Sequence, residues 1–80
     1  MLYKNVNKGE DLLLQWQFGQ ASGFIRGLFE LIGKADTYNR SLLAKGFPEE
    51  VEAMTRFTGE TGYWEALRER AGEIGRAHVW

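Results

Sequence analysis

A long run of apolar residues at helical spacing constrains this chain more than any other feature. Between Glu10 and Gly33 the intervals alternate between four and three residues, which places the series on one helix face. The series is Leu14, Phe18, Ala21, Ile25, Leu28 and Ile32. Glu10 and Asp11 suit the positive end of a helix dipole, and Gly33 can end a helix in a left-handed conformation. The spacing predicts one long helix over residues 10–33.

The stretch from Leu12 to Ile32 is also the longest apolar segment and must be considered as a membrane span. It contains Arg26, Glu30 and three glutamines, which are too costly for about 20 residues of lipid-facing helix. An export signal needs an unbroken apolar run of roughly 7–15 residues, and Gln15 interrupts the run at once. We therefore expect a cytoplasmic protein without a membrane span.

Two shorter helices are predicted beyond Gly33. Asp36 is a possible N-cap for a short helix that ends at Gly46. Its apolar positions are Tyr38, Leu42 and Leu43. The next helix should begin at Pro48, because proline suits the first helical position, where its missing N–H is not needed. Val51, Met54 and Thr58 form the repeating face of this helix.

The two ends of the chain differ in pattern. Residues 1–9 contain lysines, asparagines and a glycine, and we expect an extended or frayed lead-in. A turn is predicted at 58–62, where two glycines and two threonines interrupt the periodicity. A last amphipathic helix follows, with Tyr63, Trp64, Leu67, Ala71 and Ile74 on its apolar face. Because strand and hairpin signals are few, the chain is predicted to be a small all-α hairpin or bundle of three to four helices.

Composition limits both the number of domains and the possible chemistry. Eighty residues, 44% of them hydrophobic and 26% charged, fit a single helical domain over residues 1–80. A net charge of -1 lacks the cationic field that drives non-specific binding to nucleic acid. There is no cysteine and only one histidine, His78, which excludes thiolate catalysis and multi-histidine metal sites. We expect no cofactor and no metal.

Three glycines in the first predicted helix suggest a close helix contact. Gly19, Gly23 and Gly27 are spaced four apart and form a ridge without side chains beside the apolar face. Each glycine costs about 0.5–1 kcal/mol relative to alanine in a helix interior, so an offsetting contact is expected. The ridge could seat another helix of the same chain, form the seam of a homodimer, or receive a foreign partner.

Bulky side chains extend around much of the same helix. Leu13, Trp16, Phe24 and Leu31 lie beside the main apolar series, so the helix needs cover on more than one side. A small core alone rarely supplies more than about 3–5 kcal/mol, which favours self-association or partner binding over a single compact core. Aromatic residues anchor many interfaces, although they also fill cores. The candidate interaction residues are Trp16, Gly19, Gly23, Phe24, Gly27, Tyr63, Trp64 and Trp80.

The charged residues offer weaker candidates. Five glutamates lie in residues 47–67 against one arginine, and they form either an acidic face that mimics nucleic acid or a solvated surface. They are Glu49, Glu50, Glu52, Glu60 and Glu65. Adjacent carboxylates such as Glu49 and Glu50 point to different sides of a helix, so we predict no catalytic site. A DNA-reading helix is suggested only loosely by Asn39, Arg40, Ser41 and Lys45.

Part of the chain resembles small proteins encoded by bacteriophages and prophages. The resemblance rests on the run from Ala35 to Arg40, on Gly46–Ala53 and on Gly62–Glu65, which together cover less than half of the chain. It carries over no catalytic or binding residue. It implies a context in which small helical proteins bind and disable a host enzyme or defence complex.

These observations favour a small, non-enzymatic protein-interaction module, encoded by a phage, that binds and modulates or inhibits a host protein. We expect it to act in the host cytoplasm and to form a homodimer. A small dimeric nucleic-acid-binding regulator is the alternative. Strong affinity for duplex DNA that falls steeply with salt would favour the alternative.

Overall fold

The protein is all-helical, as the sequence predicts. A computed structural model describes residues 2–72, which contain five α-helices and no strand. The helices are α1 (Lys8–Gln17), α2 (Gly23–Lys34), α3 (Thr37–Gly46), α4 (Pro48–Gly59) and α5 (Tyr63–Arg70). The bundle class is therefore confirmed, but the expected count of three to four helices is too low.

The prediction of one long helix over residues 10–33 is wrong, because two separate helices, α1 and α2, form there. Gly19 adopts a left-handed conformation, with φ of +72°. Its N–H donates to the Trp16 carbonyl at 3.2 Å, and the Gln20 N–H donates to the Gln15 carbonyl at 2.7 Å. These two bonds satisfy the last carbonyls of α1 as a Schellman motif does. Ser22 then caps α2 by accepting the Ile25 N–H at 3.3 Å.

The central element is α4 rather than the predicted first helix. Each of the other four helices packs against it. The core between them contains large side chains that are completely or almost completely buried, namely Leu13, Leu14, Phe29, Ile32 and Leu67. With the first predicted helix broken after Gln17, α1 and α2 each pack against α4.

A close backbone approach joins α1 to α4 at Gly9. A Cβ added to Gly9 would lie 2.6 Å from the Glu50 nitrogen and closer still to the Glu49 carbonyl group. No real side chain tolerates such a separation from backbone atoms, so glycine is needed here for space. α1 and α4 therefore make a close helix contact through glycine. The glycine is Gly9, which is not one of the three predicted to form such a contact, Gly19, Gly23 and Gly27.

The starts of α3 and α4 are confirmed. The Asp36 carboxylate accepts the Asn39 N–H at 2.7 Å and caps α3, which ends at Gly46. Pro48 occupies the beginning of α4, with Glu49 and Glu50 in the first turn. Local capping chemistry therefore decides both boundaries.

The N-terminal lead-in is folded onto the bundle rather than frayed. Tyr3 is buried, and its backbone N–H donates to Asp11 Oδ1 at 2.7 Å. Asn5 Nδ2 donates to the Arg70 carbonyl, and Arg70 Nη1 returns a bond to the Asn5 carbonyl, both at 3.1 Å. Asn7 caps α1 in a reciprocal capping box with Glu10. These bonds tie the lead-in to α1 and to α5.

The last helix is shorter than predicted. It ends at Arg70, and Gly72 adopts a left-handed conformation with φ of +85°. Ile74 and Trp80, which the sequence assigned to the apolar face and the apolar C-terminal end, lie outside the described residues.

Candidate functional site

An apolar groove runs between α2 and α3 on the outside of the bundle. It consists of two adjoining pockets of about 510 and 390 Å³, which share Leu31 and Leu43 as walls. Its apolar lining includes Phe24, Gly27, Leu31, Leu42, Leu43 and Phe47. We refer to it as the α2–α3 groove.

The α2–α3 groove exposes large apolar side chains. Phe24 retains 67% of its accessible surface, Leu31 46% and Leu42 43%. Tyr38, one turn before Leu42 on α3, retains 70%. A single exposed leucine is ordinary on a protein surface, but several large apolar residues around one concavity indicate a binding surface.

The groove stays open because α2 and α3 both pack on α4. α2 buries Leu28, Phe29 and Ile32, whereas α3 has no fully buried residue. At the closed end, Arg40 Nη2 donates to the Ile32 carbonyl at 3.3 Å and to the Ala35 carbonyl at 3.5 Å. These bonds fix the junction of the two helices and leave their outer faces without a covering element from residues 2–72.

The predicted glycine ridge does not exist as a continuous surface of one helix. Gly19 lies in the turn after α1, while Gly23 and Gly27 belong to α2. A Cβ added to Gly27 would meet nothing within 4 Å, and one added to Gly23 would meet only Arg26 Nη2 at 4.0 Å. One of the three predictions for the ridge, that it packs against another helix of the same chain, is therefore wrong within residues 2–72. Gly23 and Gly27 line the α2–α3 groove instead.

The aromatic candidates divide between the core and the groove. Trp16 stacks on Phe29 with ring centroids 5.4 Å apart, and Trp64 meets the Phe57 ring edge to face at 5.3 Å. Tyr63 is buried. Phe24 lies at the groove, 6.2 Å from the Phe47 ring. The structure therefore brings Gly23, Phe24 and Gly27 together at one surface and places Trp16, Tyr63 and Trp64 in or against the core.

A second feature is a buried polar cluster around Glu10. Its carboxylate accepts the Tyr63 hydroxyl at 2.8 Å and two Arg70 bonds at 2.9 and 3.2 Å. Burial by itself raises the pKa of Glu10, but the bonds from Arg70, Tyr63 and Asn7 outweigh it and hold that pKa below its ordinary value. Burial, followed by the bond to the Glu10 carboxylate, raises the pKa of the Tyr63 phenol above its usual range.

The geometry of this cluster suits a structural tie rather than proton transfer. Glu10 stays ionised near neutral pH and its oxygens are occupied by donors, while Tyr63 keeps its proton. Arg56 covers the ring of Tyr63, with its guanidinium carbon 4.4 Å from the ring centroid. The cluster joins α1, α5 and the lead-in, and sequence analysis recognised Glu10 only as a helix-start residue.

The five glutamates of residues 47–67 have different environments. Glu50 is buried, with Lys8 Nζ 3.9 Å from its carboxylate. Glu60 pairs with Arg56 through two hydrogen bonds of 2.9 and 3.1 Å. Only Glu49, Glu52 and Glu65 remain exposed without such a partner within residues 2–72. The proposed acidic face therefore reduces to three carboxylates on two helices.

Sequence analysis did not assign Leu31, Tyr38 and Leu42 to a binding surface. It placed Leu31 beside the main apolar series and named Tyr38 and Leu42 only as apolar positions of a short helix. Their exposure depends on how α2 and α3 sit on α4. The only sequence signal was the excess of bulky residues around the first predicted helix, which indicated that some of them would need an external partner.

Known proteins give no family or function for this sequence. No protein family, curated protein or solved structure matches this sequence. Within residues 2–72, no helix is both long enough and apolar enough to cross a bilayer. The same part of the chain has no group of three or more acidic or histidine side chains arranged to hold a metal ion.

Proposed function

We propose that this chain is a non-enzymatic protein-interaction module, encoded by a phage, which binds a host protein through the α2–α3 groove and thereby modulates or inhibits it. The observation that supports this most directly is the exposure of Phe24, Leu31 and Leu42 around one concave surface. Concave apolar surfaces with a polar edge are typical of protein-binding sites.

The shape of the groove favours a helical segment of the partner. Two helices form its walls, and a third amphipathic helix can place side chains at i, i+3 and i+7 between them. Lys34 and Asp36 lie at the end where α2 meets α3. They give this end of the apolar groove a polar edge.

The alternative function, a nucleic-acid-binding regulator, has less support. Of the four α3 side chains that suggested a reading helix, two are already engaged within the chain. Arg40 binds carbonyl groups at the end of α2, and the Ser41 hydroxyl donates to the Tyr38 carbonyl at 2.6 Å. With a net charge of -1, the remaining groups offer little neutralisation of phosphates.

Affinity capture from a bacterial lysate tests this proposal. The bait proteins are the wild type, Leu31→Glu and, as a matched control, Leu2→Glu, since Leu2 is 64% exposed and is not part of the groove. We expect the wild type and the control to retain the same host protein and Leu31→Glu to lose it. Equal capture by all three baits would contradict a role for the groove, and salt-sensitive binding of duplex DNA would favour the alternative.

A further inference from the structure

We propose that a second copy of this chain packs against the exposed face of α2, with the two α2 helices antiparallel about a two-fold axis near Gly27 and Leu28. This inference goes beyond the proposed function: it rests on the α2–α3 face being an interaction surface and assigns to that face a second copy, which a host protein must displace. Three properties of α2 support this packing: its alternation of large and small residues, its unpaired charges and its exposed apolar area.

The exposed stripe of α2 is complementary to itself in shape. Phe24, Gly27 and Leu31 follow at i, i+3 and i+7 on one side of the helix. In an antiparallel pair, residues whose numbers sum to about 55 face each other across the axis. Phe24 of one copy then meets Leu31 of the other, and Gly27 meets the helix backbone around Gly27 and Leu28. The open space above Gly27 allows the two backbones to approach there.

The same two-fold rotation also brings opposite charges of the two α2 helices together. Arg26 and Glu30 are both exposed and lie on the same flank of the helix, next to the stripe. Within residues 2–72 neither forms an ion pair. Their numbers sum to 56, so the two-fold axis brings Arg26 of each copy beside Glu30 of the other. An isologous interface repeats every contact, so the pair forms twice.

The exposed apolar area is compatible with a modest dimer. Phe24, Leu31 and Leu42 together expose on the order of 300 Å² of side chain, compared with the roughly 800 Å² that each partner buries in a standard interface. Gly23, Gly27 and the charged flank add further contact area. Because this area is below that of a standard interface, we expect a weak, concentration-dependent dimer.

Sedimentation equilibrium of the full chain across a micromolar to millimolar series tests the assembly. The wild type should shift from monomer to dimer. Leu31→Glu should raise the dissociation constant at least about a hundredfold, because a charge replaces an apolar contact in both halves of the interface. Leu2→Glu, at an exposed position that does not line the groove, should leave it unchanged. A wild type that stays monomeric throughout, or dimers unaffected by Leu31→Glu, would overturn the proposal.

Charge reversal tests the antiparallel register. Arg26→Glu and Glu30→Arg each place like charges together, and each should weaken the homodimer roughly tenfold. An equimolar mixture of the two variants should form a heterodimer at concentrations where neither dimerises alone, and the double variant should dimerise as the wild type does. No gain on mixing would overturn the proposed register.

The outcomes separate this inference from the proposed function. A monomeric wild type that still captures a host protein, and loses it with Leu31→Glu, refutes the dimer but retains the groove as a host-binding site. A dimer that is weakened by Leu31→Glu and captures no host protein supports this inference and counts against the proposed function.

Discussion

The crossing of α1 and α4 at Gly9 predicts that Gly9→Ala will destabilise the protein. The new methyl group would lie 2.6 Å from the Glu50 nitrogen, whereas carbon atoms in good contact are about 3.5–4.0 Å apart. The atoms in its way belong to the backbone and cannot rotate aside. The helices must therefore separate by roughly 1 Å, which loosens the packing of Leu13 and Leu14 against α4.

Two opposing contributions set the magnitude. Overpacking of this kind costs typically 1–3 kcal/mol, while replacing glycine by alanine in a helix returns about 0.5–1 kcal/mol. Because the obstructing atoms belong to the backbone, the overpacking cost should lie near its upper end, and the free energy of unfolding should fall by about 2 kcal/mol. For a chain of this size, each kcal/mol lowers Tm by roughly 4–8 °C.

Thermal and urea unfolding followed by circular dichroism provide the measurement. Gly59→Ala is the matched control, because Gly59 is the last residue of α4 and an added Cβ there would meet nothing within 4 Å. The control should be as stable as the wild type or gain several tenths of a kcal/mol. If Gly9→Ala proved as stable as the control, the close contact between α1 and α4 would be refuted.

Three further predictions concern the polar cluster and the groove. Because the folded-state pKa of Glu10 is depressed, its contribution to stability is complete above the unfolded value of about 4.3 and is lost as pH falls through the folded value. In urea titrations at decreasing pH, Glu10→Gln should therefore lose less unfolding free energy than the wild type. An equal loss in both proteins would contradict this. Tyr63→Phe removes the 2.8 Å bond to the buried Glu10 carboxylate and should cost about 1–3 kcal/mol of unfolding free energy; a loss near zero would show that the bond contributes nothing. Gly23→Leu, measured at low concentration where the chain is monomeric, should keep or raise Tm, since the new side chain starts in open space; a clear fall would show that another element covers Gly23.

The sequence by itself determined the elements with strong local signals. Asp36 and Pro48 each mark a helix start through short-range chemistry, a capping carboxylate in one case and a fixed backbone angle in the other. The composition and the scarcity of strand signals were sufficient for the all-α class. Of the six residues in the predicted apolar series, Leu14, Leu28 and Ile32 are buried, whereas Phe18 is 37% exposed.

Only the tertiary structure decided how the first apolar series divides. Its periodicity continues without interruption across residues 18–22, so spacing alone predicts one helix. The left-handed Gly19 ends α1, and the Ser22 cap begins α2. The packing of both helices on α4 compensates for the backbone hydrogen bonds that are lost at the break.

The exposure of the α2–α3 groove also depended on tertiary packing. The sequence indicated that Gly23, Phe24 and Gly27 border a contact, but it grouped them with Gly19 and with the core residues Trp16 and Tyr63. Whether a bulky residue is buried or exposed depends on which helix face meets α4, and spacing within a helix does not carry that information. The same limit applies to Gly9 and Glu10, whose partners lie about 40 to 60 residues away in the chain. Contacts at such separations form only when the helices pack.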